Sequence, residues 1–251
     1  MKILLTGHKG LVGQELYAEL VKEHFVIGID RLEGNDILDL EINFDVDLVI
    51  HLAGESGLRR SIDNPKLFWE NNVIASKKIF QSFPNTRILY ASSSTAKEPF
   101  LNPYAMTKKV MEEIAPDNSL GMRFTTIYNN KQTRPNMFIP RLLRNDVPYV
   151  TNHKRDFIHV SDIVNAILLL IKTDTKGIID IGTGTSVALT DLTKLANIDP
   201  EQTTKDNERM DNTADITVLK NLGWKPKVNI FDFIETNKEL DFSQKPKYNV
   251  I

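Results

Sequence analysis

Ile3-Leu4-Leu5-Thr6-Gly7-His8-Lys9-Gly10-Leu11-Val12-Gly13 decides the fold of this 251-residue chain. An apolar run of strand character ends in three glycines spaced Gly-x-x-Gly-x-x-Gly, and Leu11, Leu16 and Leu20 then recur on one helical face. The strand must turn sharply into a helix here. The missing Cβ atoms let the backbone of Gly7, Gly10, Leu11, Val12 and Gly13 approach a pyrophosphate, whose charge sits at the helix N-terminus. The next apolar strand, 25–29, closes on Asp30, seventeen residues past Gly13. A carboxylate there accepts from a ribose 2′-hydroxyl and repels a 2′-phosphate, which favours NAD over NADP. Arg31 beside it pulls the other way. A glycine-rich turn with a capping aspartate is the alternative reading.

Outward from this loop, strands and helices alternate. Strands are expected at 48–53, 87–91 and 122–125, with helices at 65–80 and 104–114. Pro65 stands where a helix N-terminus tolerates proline. Such alternation predicts the α/β class, a doubly wound parallel sheet of Rossmann-like type covered on both faces. Beyond Tyr128 the pattern loosens, with a turn at 134–136, helices at 139–144 and 161–172, and a strand at 177–180. The expected division is a dinucleotide domain over 1–126 plus about 155–182. The rest, 127–154 and 183–251, forms a smaller, interleaved C-terminal substrate-binding lobe.

Composition narrows the chemistry. Thirty-one basic residues against 33 acidic ones, a net charge of −2, leave no nucleic-acid footprint and no polybasic membrane patch. There is no cysteine, which excludes thiolate chemistry. The five histidines show no metal-ligand spacing, so no metal is expected. No stretch approaches the roughly 20 apolar residues of a membrane span, and a cytoplasmic address is the simplest expectation.

Tyr104 and Lys108 lie four apart on an expected helix and so share a face. A phenol, ordinarily titrating near pH 10, is a poor base at neutral pH. A neighbouring ammonium and a positive nicotinamide ring both favour the phenolate, making Tyr104 a general base and Lys108 its electrostatic partner. Ser92-Ser93-Ser94 follow an apolar strand, so their hydroxyls emerge at the carboxyl end of the sheet, where ligands bind. The plainer readings are a buried tyrosine beside a snorkelling lysine, and a capping cluster of serines.

Together these residues resemble the extended short-chain dehydrogenase/reductase family, specifically the nucleotide-sugar epimerases, over nearly the whole chain. Asp36-Ile37, His51-Leu52-Ala53-Gly54, Asn72-Val73, the segment 155–162 and Ile181-Gly182-Thr183-Gly184 extend the likeness. Gly57-Leu58-Arg59-Arg60-Ser61-Ile62-Asp63-Asn64-Pro65 and Arg134-Pro135-Asn136-Met137 are most similar to the UDP-glucuronate 4-epimerases. The resemblance implies NAD as cofactor, held by the glycine loop, Asp30, Arg31, Asp36, Ile37, Leu52, Ala53, Gly54, Asn72, Tyr104 and Lys108. It implies Ser94, Tyr104 and Lys108 as catalytic residues. Ser92, Ser93 and Thr126 would lie near a sugar carboxylate, with Arg134, Arg155 and Arg209 near the nucleotide diphosphate. Planar cationic forks suit phosphate oxygens. An internal ion pair between Arg155 and Asp156 is the alternative for that arginine.

The implied activity is 4-epimerisation of a UDP-hexose, UDP-glucuronate or UDP-galacturonate, through a 4-keto sugar. A UDP-glucose/UDP-galactose 4-epimerase, or a reductase or other sugar-modifying enzyme of the same family, are the rivals. Thr95 and Ala96 follow Ser94 where a 4,6-dehydratase needs acidic groups. Tyr104 also lies only ten residues after Ser94, a shorter loop than the family usually has. A homodimer is implied as well, with helices 65–80 and 104–114 pairing across a two-fold axis. Leu67, Val73 and Ile79 are equally explained as sheet-facing core.

Overall fold

The computed structural model describes residues 1–130 and 136–238. Arg134 and Pro135 of the expected turn lie outside the described residues. The chain divides into two compact units, 1–124 with 164–181 and 125–163 with 182–251. Residues 155–163, grouped above with the dinucleotide domain, sit with the second unit.

The first unit is built on six strands, β1 (Lys2–Thr6), β2 (Phe25–Ile29), β3 (Leu48–His51), β4 (Arg87–Ser93), β5 (Leu120–Phe124) and Gly177–Ile181. Their spatial order is Gly177–Ile181, β5, β4, β3, β1, β2, and every pairing is parallel. The expected parallel, doubly wound architecture is therefore present. Strand order reverses beside β1, whose neighbours are β2 and β3, and such a switch point opens a crevice at the carboxyl ends of the strands. β1 and β3 are buried on both faces: Leu4, Val49, Ile79, Phe80, Ile88 and Tyr90 share one core cluster. Continuous burial explains why these strands read as unbroken apolar runs rather than alternating ones.

Helix α1 (Leu11–Leu20) buries Leu16 and Leu20 as expected, but Val12 takes the place expected of Leu11, which is only half-buried. The helix expected at 65–80 is not a plain α-helix. It runs Pro65–Trp69, passes through a π turn at Glu70–Ile74, and resumes over Ala75–Ser82. The Ala75 N–H donates to the Glu70 carbonyl, five residues back. Of the three positions read as sheet-facing core, Ile79 packs in the core cluster with Val49 and Ile88, Val73 is buried and Leu67 is half-buried. In Pro103–Ile114, Asn102 caps the first turn by accepting from the Ala105 N–H at 2.9 Å.

The second unit gathers Tyr128, Ile139, Leu142, Phe157, Leu192, Phe233 and Ile234 into its own core. Strands Thr126–Tyr128 and Phe157–His159 pair in parallel. Asp156 ties three of its loops together: its carboxylate accepts from the Thr183, Gly184 and Ala214 N–H groups at 2.7, 2.9 and 3.1 Å.

Two glycines differ in why they are glycine. A Cβ at Gly13 overlaps the Gly7 carbonyl, a backbone atom that cannot swing aside. Gly34 has φ +81° with open space around it. Gly34→Ala is expected to cost about 1 kcal/mol of conformational strain. Gly13→Ala is expected to cost about 3 kcal/mol or more, from displaced backbone. Urea unfolding of the two variants checks this; equal losses sink the packing argument.

Candidate active site

At the carboxyl edge of β1, the backbone of the glycine loop presses on the end of β3. A Cβ at Gly7, where φ is +73°, would lie 2.6 Å from the Ala53 nitrogen. The Gly10 N–H donates back to the Gly7 carbonyl at 3.0 Å, closing the turn. α1 then begins with no side-chain cap at Gly10 and no acidic residue in its first turn. The first N–H groups of a helix have no partner within it, and an anion suits them. Uncapped donors and a cradle that side chains would fill fit a pyrophosphate.

Asp30 at the end of β2 is held by two backbone donors, the Lys9 N–H on Oδ2 and the Leu32 N–H on Oδ1, both at 3.0 Å. A carboxylate offers about four lone-pair sites, so this leaves capacity for a ribose hydroxyl. Asp36 accepts from the Leu38 N–H at 2.9 Å, and Ile37 is buried in the core.

The serine run starts inside β4 rather than beyond it. Ser92 turns inward: its hydroxyl donates to Glu112 at 2.6 Å, and Arg123 grips the same carboxylate through Nε at 2.7 Å and Nη2 at 2.5 Å. Ser93 caps the following 3-10 turn, accepting from the Thr95 N–H and hydroxyl. Ser94, also buried, opens that turn.

Tyr104 stands in the first turn of Pro103–Ile114 with its ring edge-on to Phe68, centroids 6.0 Å apart. Its N–H donates to the Ser61 hydroxyl at 3.1 Å. One turn later Lys108 is only 4% exposed. Its ammonium donates to the Ala91 carbonyl at 2.8 Å and lies 3.6 Å from where a Cβ on Gly54 would stand. Lys108 thus links the end of β4 to the loop after β3. Burial pushes its pKa down to about 8, against the partial pull of Glu112.

Three further groups complete the geometry: sequence reasoning named Asn72 as a cofactor residue, quoted His51 only within its strand motif, and missed Glu55. His51 is sealed in the sheet, with Nδ1 2.7 Å from the Thr6 hydroxyl and Nε2 2.9 Å from the Ser76 hydroxyl. Burial and the neighbouring Lys108 push its pKa down to about 3, so it is neutral. Asn72, in the π turn, accepts from the Glu55 N–H at 2.7 Å and donates to the Glu55 carbonyl and the Thr107 hydroxyl. Glu55 itself is buried against Arg31 and Arg60. An ionisable residue directly after Leu52-Ala53-Gly54 was the available signal.

In the second unit the Thr126 hydroxyl accepts from Asn212 at 3.1 Å. Arg155 does not pair with Asp156. Its Nη1 donates to the Lys154 and Arg209 carbonyls, both at 2.8 Å, and its Nη2 meets Glu208 at 2.9 Å and His153 at 3.1 Å. Arg134 lies outside the described residues.

The family model described as NAD dependent epimerase/dehydratase matches residues 3–182. The chain belongs to that family. It is an NAD-dependent enzyme, and the cradle around Gly7 fits the group the family uses. Protein CapI of Staphylococcus aureus is 30% identical over 233 residues, 68% of this chain and 70% of its own length. A putative UDP-glucose 4-epimerase of Methanocaldococcus jannaschii is 28% identical across 93% of this chain and 96% of its own. MoeE5, solved in complex with UDP-glucose and NAD, is 25% identical with a TM-score of 0.82, covering 95% of this chain and 98% of that one. A second MoeE5 structure, with UDP-glucuronic acid and NAD, has the same identity and coverage at a TM-score of 0.79. Among the described residues no group of His, Cys, Asp or Glu is placed to hold a metal, and no helix is long and apolar enough to cross a membrane.

The buried Lys108 makes the stability of the fold depend on pH. The folded state favours the neutral amine, so its contribution to stability is full above about pH 10.5 and is lost as pH falls through about 8. Lys108→Met is expected to flatten that rise. Urea midpoints for both proteins across this window measure it; parallel curves contradict it.

Proposed function

We propose that this enzyme interconverts the C4 epimers of a UDP-hexose, with UDP-glucuronate and UDP-galacturonate as the preferred pair. The observation that carries the reading is the buried Lys108 ammonium, anchored on the Ala91 carbonyl beneath Ser92-Ser93-Ser94 and one helical turn from Tyr104. A cation kept so dry stabilises a phenolate strongly, because little solvent screens it. MoeE5, bound in separate structures to UDP-glucose and UDP-glucuronic acid, supports the substrate class.

Held by this chain, NAD would supply a reversible hydride acceptor at C4, so that the net redox change is zero. Tyr104 as phenolate removes the proton of the 4-hydroxyl and later gives it back. The Ser94 hydroxyl shares a hydrogen bond with the same oxygen, holding it for transfer. By the family resemblance Ser93 is the candidate for the carboxylate of a uronic acid in the first unit and Thr126 in the second, and the hydroxyl of Ser92 steadies the strand end through Glu112. Arg134 and Arg209 take the diphosphate. Arg155 supports Arg209 by fastening its carbonyl. A 4-keto sugar must turn over before reduction, so the nucleotide has to be held more firmly than the hexose. The glycine loop, Asp30, Leu52, Ala53 and Gly54 hold the dinucleotide. Asn72 acts by fixing the Glu55 backbone.

The working form is a cytoplasmic homodimer joined through helices 65–82 and 103–114, which leave Trp69, Ile74 and Ile114 exposed on this chain.

Purified enzyme offered UDP-glucuronate is expected to yield UDP-galacturonate with no net absorbance of reduced nicotinamide, and faster than it epimerises UDP-glucose. Stoichiometric consumption of reduced cofactor would falsify epimerisation. Tyr104→Phe is expected to lower kcat by about 10²-fold or more while still binding the nucleotide sugar. Turnover left intact removes Tyr104 from the chemistry.

A further inference from the structure

Arg31 is the residue that argues for NADP. It follows Asp30 directly at the end of β2, where a guanidinium accommodates a 2′-phosphate. In the structure that guanidinium is already engaged. Arg31 Nη2 lies 2.6 Å from Glu55 Oε1, and Arg60 Nη2 lies 3.1 Å from Glu55 Oε2. The two arginines are nearly half exposed, whereas the glutamate side chain is 3% exposed. The buried partner is the fixed one. Its backbone N–H and carbonyl are both pinned by the Asn72 amide from the π turn, so Glu55 cannot drift away with a mobile loop.

The other cations at this edge are accounted for in the same way. Lys9 pairs with Glu33 at 2.7 Å, and His8 Nε2 stands 3.1 Å from the same carboxylate. Three carboxylates, Asp30, Glu33 and Glu55, therefore face three permanent cations, Lys9, Arg31 and Arg60. A 2′-phosphate arriving here adds about two negative charges to a balanced set, and must pull Arg31 from a short, partly desolvated pair.

We propose that Glu55 determines cofactor specificity: by sequestering Arg31 it selects a dinucleotide with an unmodified 2′-hydroxyl and rejects the 2′-phosphorylated form. The inference rests on the dinucleotide reading of the glycine loop and goes beyond it, because it assigns the selectivity to a residue on the loop after β3 rather than to Asp30 alone. Glu55 acts as a positioning residue, through Arg31.

The test reads binding, not turnover. Dissociation constants of NAD and NADP are measured by calorimetry for the wild-type protein, Glu55→Gln, Glu55→Met and Arg31→Ala/Glu55→Gln. Gln keeps the shape and removes the charge; Met fills the buried volume should the amide be poorly tolerated. Releasing Arg31 is expected to improve the NADP:NAD affinity ratio by about tenfold in either single variant, and the double variant is expected to lose that gain. A ratio unchanged in a folded Glu55 variant that still binds NAD overturns the proposal alone. A gain that survives loss of Arg31 also overturns it. Wild-type protein that binds neither dinucleotide overturns the cofactor site itself, and the proposal with it.

Discussion

The first unit depends on a steric constraint between two backbones. The turn after β1 and the loop after β3 approach so closely that Gly7 has no room for a side chain, and the same turn folds back on itself so tightly that Gly13 has none either. That approach sets the position of Ala53 and Gly54, and through them the space above Lys108. α1 follows Gly10, which has no side chain to cap the first N–H groups of the helix. One glycine-rich turn thus supplies both the close contact and the uncapped backbone donors at the helix start.

Charge is managed around this contact by burying one member of each pair. Glu112 is gripped by Arg123, Glu55 by two arginines, and Lys108 by a carbonyl rather than a carboxylate. The last arrangement differs in kind. A carboxylate partner would hold the ammonium well protonated and dull its influence on a neighbouring phenol. A neutral carbonyl orients the group and leaves its charge largely uncompensated. His51, neutral and sealed between Thr6 and Ser76, places a polar link at the same depth without adding a competing charge.

Much of this was legible in the chain. The parallel sheet followed from buried apolar runs alternating with helical periodicity, and the dinucleotide loop from glycine spacing in that context. The remainder was not, for identifiable reasons. Ser92 and Ser93 carry one residue type yet differ in partner, Glu112 for the first and Thr95 for the second, and the strand ends before Ser94, where alternation gives way to a turn. Arg155 and Asp156 are adjacent but project to opposite sides of an extended segment, so the partner of Arg155 comes from 53 residues away, at Glu208. Arg31 read as ambiguous because its partner is Glu55, a contact set by two loops that only the sheet order brings together.

The π turn at Glu70–Ile74 has a consequence for how this gene can vary. It holds one residue more than an α-helical turn, and that surplus directs the Asn72 amide to Glu55 and Thr107. Excising any one residue there restores a regular helix, a locally more comfortable state. The surplus is taken up inside the turn itself, so Phe68 and Ile79 on either side keep their buried faces, and only the residues of the turn, Asn72 among them, change direction. A codon deletion at this point can thus leave folding unharmed while releasing the loop after β3. Length, more than residue identity, is what inheritance must preserve in this helix.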